Sequence, residues 1–247
     1  MDMALTCLVV FAAWAFGGVI GGVTGIGALM LSMPFLTMVL TPLDAVLVST
    51  LIGVYGVLHL GIAYRKSICW RDIRDMVIGV LPGTVAGTML LKVVSMQTLQ
   101  LMVCAMLATF VIIQSCKRLA AYTLPESPMI SIIAGFICGA VGGSVAMVGA
   151  PLGIYILMKH WEPNRARANM SGFYLFTSLS ALFTQYSAGL YTLELIPPAI
   201  SGMIGCALGS TLGVRLGRHV DQKMFTRLVV TFLALAAVML FWRAMGW

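Results

Sequence analysis

Residues 129–158 read MISIIAGFICGAVGGSVAMVGAPLGIYILM, a run without a single charged side chain, and how that run divides decides the fold. A bilayer core about 30 Å thick takes roughly 20 apolar residues per spanning helix. Gly142, Gly143 and Gly149 cut the run into legs of about 14 and 10 residues, about 21 and 15 Å at the helical rise. Ten residues do not cross a bilayer. The spacing therefore predicts a re-entrant helical hairpin, whose non-helical apex must be buried in protein or line a cavity. A second glycine-broken region, 4–40, is long enough for two nearly complete legs.

Working outward, the chain has 247 residues, 60% of them hydrophobic and 9% charged. Soluble domains carry about 25% charged residues, so the whole chain reads as an all-α polytopic membrane protein in a single membrane domain, 1–247. Charge and proline punctuate six further spans at 44–63, 75–91, 98–116, 168–186, 195–214 and 224–242. The apolar N-terminal stretch is preceded by no Lys or Arg and runs on to Leu40, so it is read as a structural helix and not as a cleaved leader.

The net charge of +7 is read as an orientation signal, with no nucleic-acid partner, because cytoplasmic loops are enriched in Lys and Arg. If both broken regions return to the side they started from, the basic residues divide 13 to 2 across the bilayer, with only Lys92 and Arg243 outside. Both termini are then predicted outside the cytoplasm of a multi-pass cell (inner) membrane protein. Trp70, Trp161, Tyr186, Tyr191 and Trp242 fall near span ends, where an aromatic belt is expected. Six cysteines without a C-x-x-C read as small core residues, and neither a metal nor a cofactor is expected.

A shift of 122 positions maps Gly17 on Gly139, Gly21 on Gly143, Gly27 on Gly149, Gly83 on Gly205 and Gly87 on Gly209. Chance gives about one or two such pairs in a chain this rich in glycine, so an internal repeat is expected. The first repeat is 4–118, a cytoplasmic link covers 119–128, and the second repeat is 129–247. Each holds a glycine-broken, re-entrant hairpin plus three transmembrane helices. Three spans make an odd number of crossings, so the second repeat is inverted relative to the first.

In inverted-repeat transporters the substrate lies where paired, interrupted helices meet. Here those are Gly21–Ala28 and Gly142–Pro151. Unwound backbone at Thr24, Gly25, Gly27 and Ala28, and at Ser144, Gly149, Ala150 and Pro151, would present N–H groups and helix N-termini to a small anion. The alternative is that these glycines only let helices pack closely, which is the reading for Gly83-x-x-x-Gly87 and Gly205-x-x-x-Gly209. Polar residues within spans add Ser32, Ser49, Thr50, Asn169 and Ser171 as substrate contacts. Each hydroxyl taken singly could instead bond its own helix carbonyl. All eight Asp and Glu lie at or near segment ends, so a carboxylate proton relay is not expected. That leaves His59 as the titratable group inside an apolar stretch, either a carrier of a coupling proton or an interfacial histidine near Arg65. Arg165 and Arg167 could steer an anion to the cytoplasmic mouth, although orientation alone explains them.

These residues also carry a resemblance. The pattern G-x-x-G-x-G-A-x-x-x-x-x-P from Gly22 to Pro34, its echo ending in Gly149-Ala150-Pro151, and Ser49-Thr50 following Ala45 resemble the sulfite exporter TauE/SafE family. The likeness runs through nearly the whole chain. It departs at Gly27-Ala28-Leu29, where the family usually has a glycine triplet, and at Ala146-Met147, which replace an expected glycine. The resemblance implies a secondary transporter, in the direction of export, for a small sulfur-containing anion such as sulfite or an organosulfonate. Alternating access around opposed broken helices, with H+ or Na+ as coupling ion, is the expected mechanism, and a passive anion channel is the alternative. No H-E-x-x-H, G-x-S-x-G or buried Asp pair is present, so an intramembrane enzyme is not expected.

Overall fold

The computed structural model describes residues 3–24, 28–64, 68–115, 123–125 and 127–216. The last span read from the sequence, 224–242, lies outside them. Among the described residues there are nine α-helices and no strands: α1 (Met3–Thr24), α2 (Ala28–Val39), α3 (Pro42–Tyr64), α4 (Trp70–Val93), α5 (Met96–Ser115), α6 (Pro128–Val145), α7 (Gly149–Lys159), α8 (Pro163–Ser187) and α9 (Ile196–Leu216). A 3-10 turn, Leu193–Leu195, leads into α9. Among the described residues, four stretches are long and apolar enough to cross a membrane: Met3–Val23, Trp70–Val93, Pro128–Val145 and Leu193–Leu216.

Both glycine-broken regions fold as a long helix followed by a short one. The first gives helices of 22 and 12 residues, not two nearly complete legs. The second gives 18 and 11, so its first leg is longer than the glycines suggested and only the second is too short to cross. The reason lies in α6. Helix continues through Gly142, Gly143 and Ser144 and ends at Ala146, which takes the left-handed conformation with φ 60. Gly143 stays helical because α4 covers it: a Cβ there would meet Thr84 O at 2.5 Å and Thr88 N at 3.0 Å. In an apolar medium an intact helical hydrogen bond is worth keeping, and glycine allows the neighbouring backbone to approach.

The helices fall into two compact units. Unit 1 contains α1, α2, α9, the first part of α3 and most of α5; unit 2 contains α4, α6, α7 and α8, with the ends of α3 and α5. In unit 1, α1 packs lengthwise on α9, with Gly205, Gly209 and Gly213 against the carbonyls of Phe11, Ala15 and Val19. In unit 2, α4 packs on α6, with Gly79, Gly83 and Gly87 against the carbonyls of Ile132, Phe136 and Ala140. The seams have one register. Adding 122 to an α4 position gives its α9 counterpart, and adding 125 to an α1 position gives its α6 counterpart. Gly83 on Phe136 corresponds to Gly205 on Phe11, and Gly87 on Ala140 to Gly209 on Ala15. Where Gly79 meets Ile132, the counterpart is Ser201, whose hydroxyl donates to Cys7 O at 2.9 Å. The hairpin helices thus correspond three residues away from the single shift that glycine identity suggested.

The outward faces are built of a different material. On α9, Ile196, Ile200, Ile204, Leu208 and Leu212 are exposed at four-residue spacing. On α4 the exposed set is Ile78, Leu81, Val85 and Met89, opposite buried Gly79, Gly83, Thr84, Gly87 and Thr88. Small residues inside and bulky aliphatic ones outside is the arrangement expected when the surrounding solvent is hydrocarbon and helices associate by close contact.

Candidate functional site

In unit 1 the hairpin folds α2 back along α1. The fully buried Ser32 hydroxyl sits 3.0 Å from Ala13 O on α1 and 2.9 Å from Ala28 O on its own helix. Gly17 lies directly against Ser32 and Ala28, and Gly21 against Ala28. Ser32 therefore staples the two legs together. Pro34, buried in the middle of α2, has no N–H, so the Met30 carbonyl lacks its helical donor. Thr50 donates to Val46 O at 3.0 Å, a back-bond within α3. Ser49 differs from it: fully buried, among the described residues it makes no such back-bond and has Met33 Sδ, at 4.0 Å, as its hydrogen-bond partner. Gly25 and Gly27 lie outside the described residues, as do the side chains of Thr24 and His59.

In unit 2 the break falls at residues 146–148. Ser144 donates to Ala140 O at 2.7 Å, again a bond within its helix. Ala150 is buried, and Gly149 and Pro151 stand with it in the first turn of α7. The N–H groups of Gly149 and Ala150 have no acceptor within their own helix, and Pro151 contributes none. Gln185 Nε2 donates to Gly143 O at 3.2 Å, satisfying one of the last carbonyls of α6. Two hydroxyl pairs join α4 to α8 beside it, Thr84 with Ser180 at 2.6 Å and Thr88 with Thr184 at 2.9 Å. None of these was singled out from the sequence. The available signal was Gln185 itself, a lone amide inside an apolar span.

The other unit 2 candidates stand elsewhere. Asn169 is fully buried near the start of α8, donating to Asp72 Oδ2 at 2.8 Å and accepting from Cys69 N at 2.9 Å. Arg165 completes the cluster with two bonds to Asp72, 2.7 Å from Nε and 2.6 Å from Nη2. Asp72 and Thr88 lie at opposite ends of α4, on the order of 24 Å apart at the helical rise. The structure thus separates Asn169, and with it Ser171 on the next half-turn, from Ser144 and the α7 N-terminus. Arg165 is committed to Asp72, an exposed pair worth about 0–1 kcal/mol on its own. The side chain of Arg167 lies outside the described residues.

Among the described residues, Asp44, Asp72, Asp75, Glu162 and Glu194 all lie within the first two turns of a helix or just before one, and no group of three His, Cys, Asp or Glu could hold a metal ion. Apolar helices with small-residue seams and long-and-short broken hairpins define a multi-pass helical membrane protein. The chain belongs to the sulfite exporter TauE/SafE family, whose model matches residues 10–240. No curated protein and no solved structure matches the chain.

Proposed function

We propose that the chain is a secondary transporter that exports a small sulfur-containing anion, such as sulfite or an organosulfonate, from the cytoplasm. In this reading it is a cell (inner) membrane protein of two inverted repeats, with both termini outside, working by alternating access around its two broken hairpins. The observation that carries the substrate class, beside family membership, is the α6–α7 break. There the N–H groups that begin α7 have no acceptor in their own helix and follow closely on the end of α6, whose Gly143 carbonyl accepts from the buried amide of Gln185, with no buried carboxylate among the described residues. Helix N-termini favour negative charge, and a carboxylate-free interior offers a cation little. The recurrence of one packing register in the two helix pairs supports the repeat.

The test is counterflow in proteoliposomes. Liposomes loaded with sulfite are expected to take up labelled sulfite with saturation, and Gly149→Leu is expected to abolish it while the protein still inserts. Collapsing the H+ and the Na+ gradient separately identifies the coupling ion, and His59→Gln tests the proton route. Conductance far above about 10³ ions per second would instead establish a channel.

A further inference from the structure

The indole nitrogen of Trp14 is the buried side-chain donor that has no hydrogen-bond partner among the described residues. Trp14 is 2% exposed and lies on α1. A donor left unpaired in this way costs free energy, and a native protein keeps one for a reason, most simply a group that comes and goes. Its position indicates what that group touches. In the shared seam register Trp14 is the counterpart of Gly139, which lies against Val80 and Thr84 of α4, so Trp14 stands over the Gly202–Cys206 turn of α9. Gly202 in turn receives the side chains of Val10 and Ile52. Val10 is one turn before Trp14 on α1, and Ile52 lies on the face of α3 that carries Ser49, three residues earlier.

Ser49 is the second under-committed donor in this unit. Its hydroxyl is wholly buried, and a sulfur at 4.0 Å is a weak acceptor for it. By helical rise the two residues are on the order of 10 Å apart along the axis, and an aromatic side chain leaning toward its helix N-terminus shortens that. Two neutral donors with no carboxylate beside them suit an oxyanion better than a cation.

We infer that the Trp14 indole N–H and the Ser49 hydroxyl donate hydrogen bonds to the oxygens of the transported anion within unit 1. The inference rests on the transporter reading above and adds to it the groups that touch the substrate. Both donors are closed to solvent in this structure, so the anion reaches them only when the unit opens, as alternating access requires.

Trp14→Phe removes the N–H while keeping an aromatic side chain, though a smaller one. With sulfite and methanesulfonate as probes, its apparent KM in counterflow is expected to rise about tenfold, the loss of one bond to a charged group. The smaller ring leaves a void that lowers anion-free stability whatever the N–H does, so the second readout is the rise in unfolding midpoint on adding sulfite, expected for wild type and lost in the variant. Ser49→Ala gives an independent arm with the same two signs, should the first variant fail to insert. A KM within twofold of wild type in both variants overturns the inference. A sulfite-induced rise in midpoint equal to wild type in both variants also overturns it. Absence of saturable uptake by the wild-type protein is a different result and sinks the transporter reading itself.

Discussion

Substituting alanine at two glycines of one unit separates a packing seam from an open position. At Gly139 in α6 an added Cβ would lie 2.5 Å from Val80 O and 3.0 Å from both Thr84 N and Val80 Cα. All three are backbone atoms of α4, so no rotamer change relieves the contact. A separation tighter than 3.4 Å is already rare for a Cβ, so the helices must part by about 0.9 Å at this crossing. Opening a packed surface by 0.5–1 Å forfeits about a quarter to a half of each dispersion contact, and of the roughly 1–3 kcal/mol that overpacking costs, backbone against backbone with no side chain to give way takes the upper part, about 2–3 kcal/mol. The gain of about 1 kcal/mol in helix propensity from Gly to Ala offsets part of that. A net loss of about 1–2 kcal/mol is expected for Gly139→Ala. At Gly153 in α7 an added Cβ would meet nothing within 4 Å, so only the propensity gain remains, about 1 kcal/mol of stabilisation. The two variants should therefore stand about 2–3 kcal/mol apart, on the order of 4–12 °C in Tm for a chain of this size. Thermal unfolding of both in one detergent, repeated as a denaturant titration, reads the difference. Equal midpoints, or a Gly139→Ala variant as stable as wild type, would refute the close backbone contact on which the seam is built.

Three further outcomes follow from the same geometry. Ala146→Gly relieves a left-handed residue with a Cβ and is expected to stabilise by about 1 kcal/mol, read as a rise in unfolding midpoint. No change would mean that the α6–α7 break relaxes to another conformation. Asn169→Ala removes a bond to a carboxylate and strands the Cys69 N–H. An expected cost of about 1.5–3 kcal/mol, with sulfite KM unchanged, would assign it to holding α8 on the start of α4, whereas a raised KM at normal stability would return it to the substrate path. A single cysteine placed at Tyr191 should be labelled by an impermeant maleimide from outside the cell, and labelling only from the cytoplasmic side would invert the proposed topology.

The membrane helices were legible because hydrocarbon forbids charge: helix after helix begins and ends within a few residues of the nearest Lys, Arg, Asp, Glu or Pro. The helix break in the second hairpin was not, and the reason is a property of glycine in lipid. In water Gly142-Gly143 would be a weak point; here the first meets Thr177 and Val148 and the second meets α4 backbone, and what supports them is packing that sequence periodicity does not display. The helix instead ends at Ala146, a residue with no breaking character of its own. The site shows the same division. Hydroxyls are visible in sequence, but whether they are spent is not: Ser144 and Thr50 back-bond to their own helices and Ser32 clips two legs together, while Ser49, with the same chemistry, is left with a sulfur. Trp14 was passed over because an indole in an apolar stretch reads as bulk, and only the missing partner at its nitrogen marks it. The three-residue offset between the hairpin helices was hidden for a geometric reason. Three residues turn a helix by about 300°, returning a side chain to within about 60° of its starting face. Glycines matched by identity and glycines matched by packing therefore fall on nearly the same stripe, and contact partners, not residue identities, tell the two registers apart.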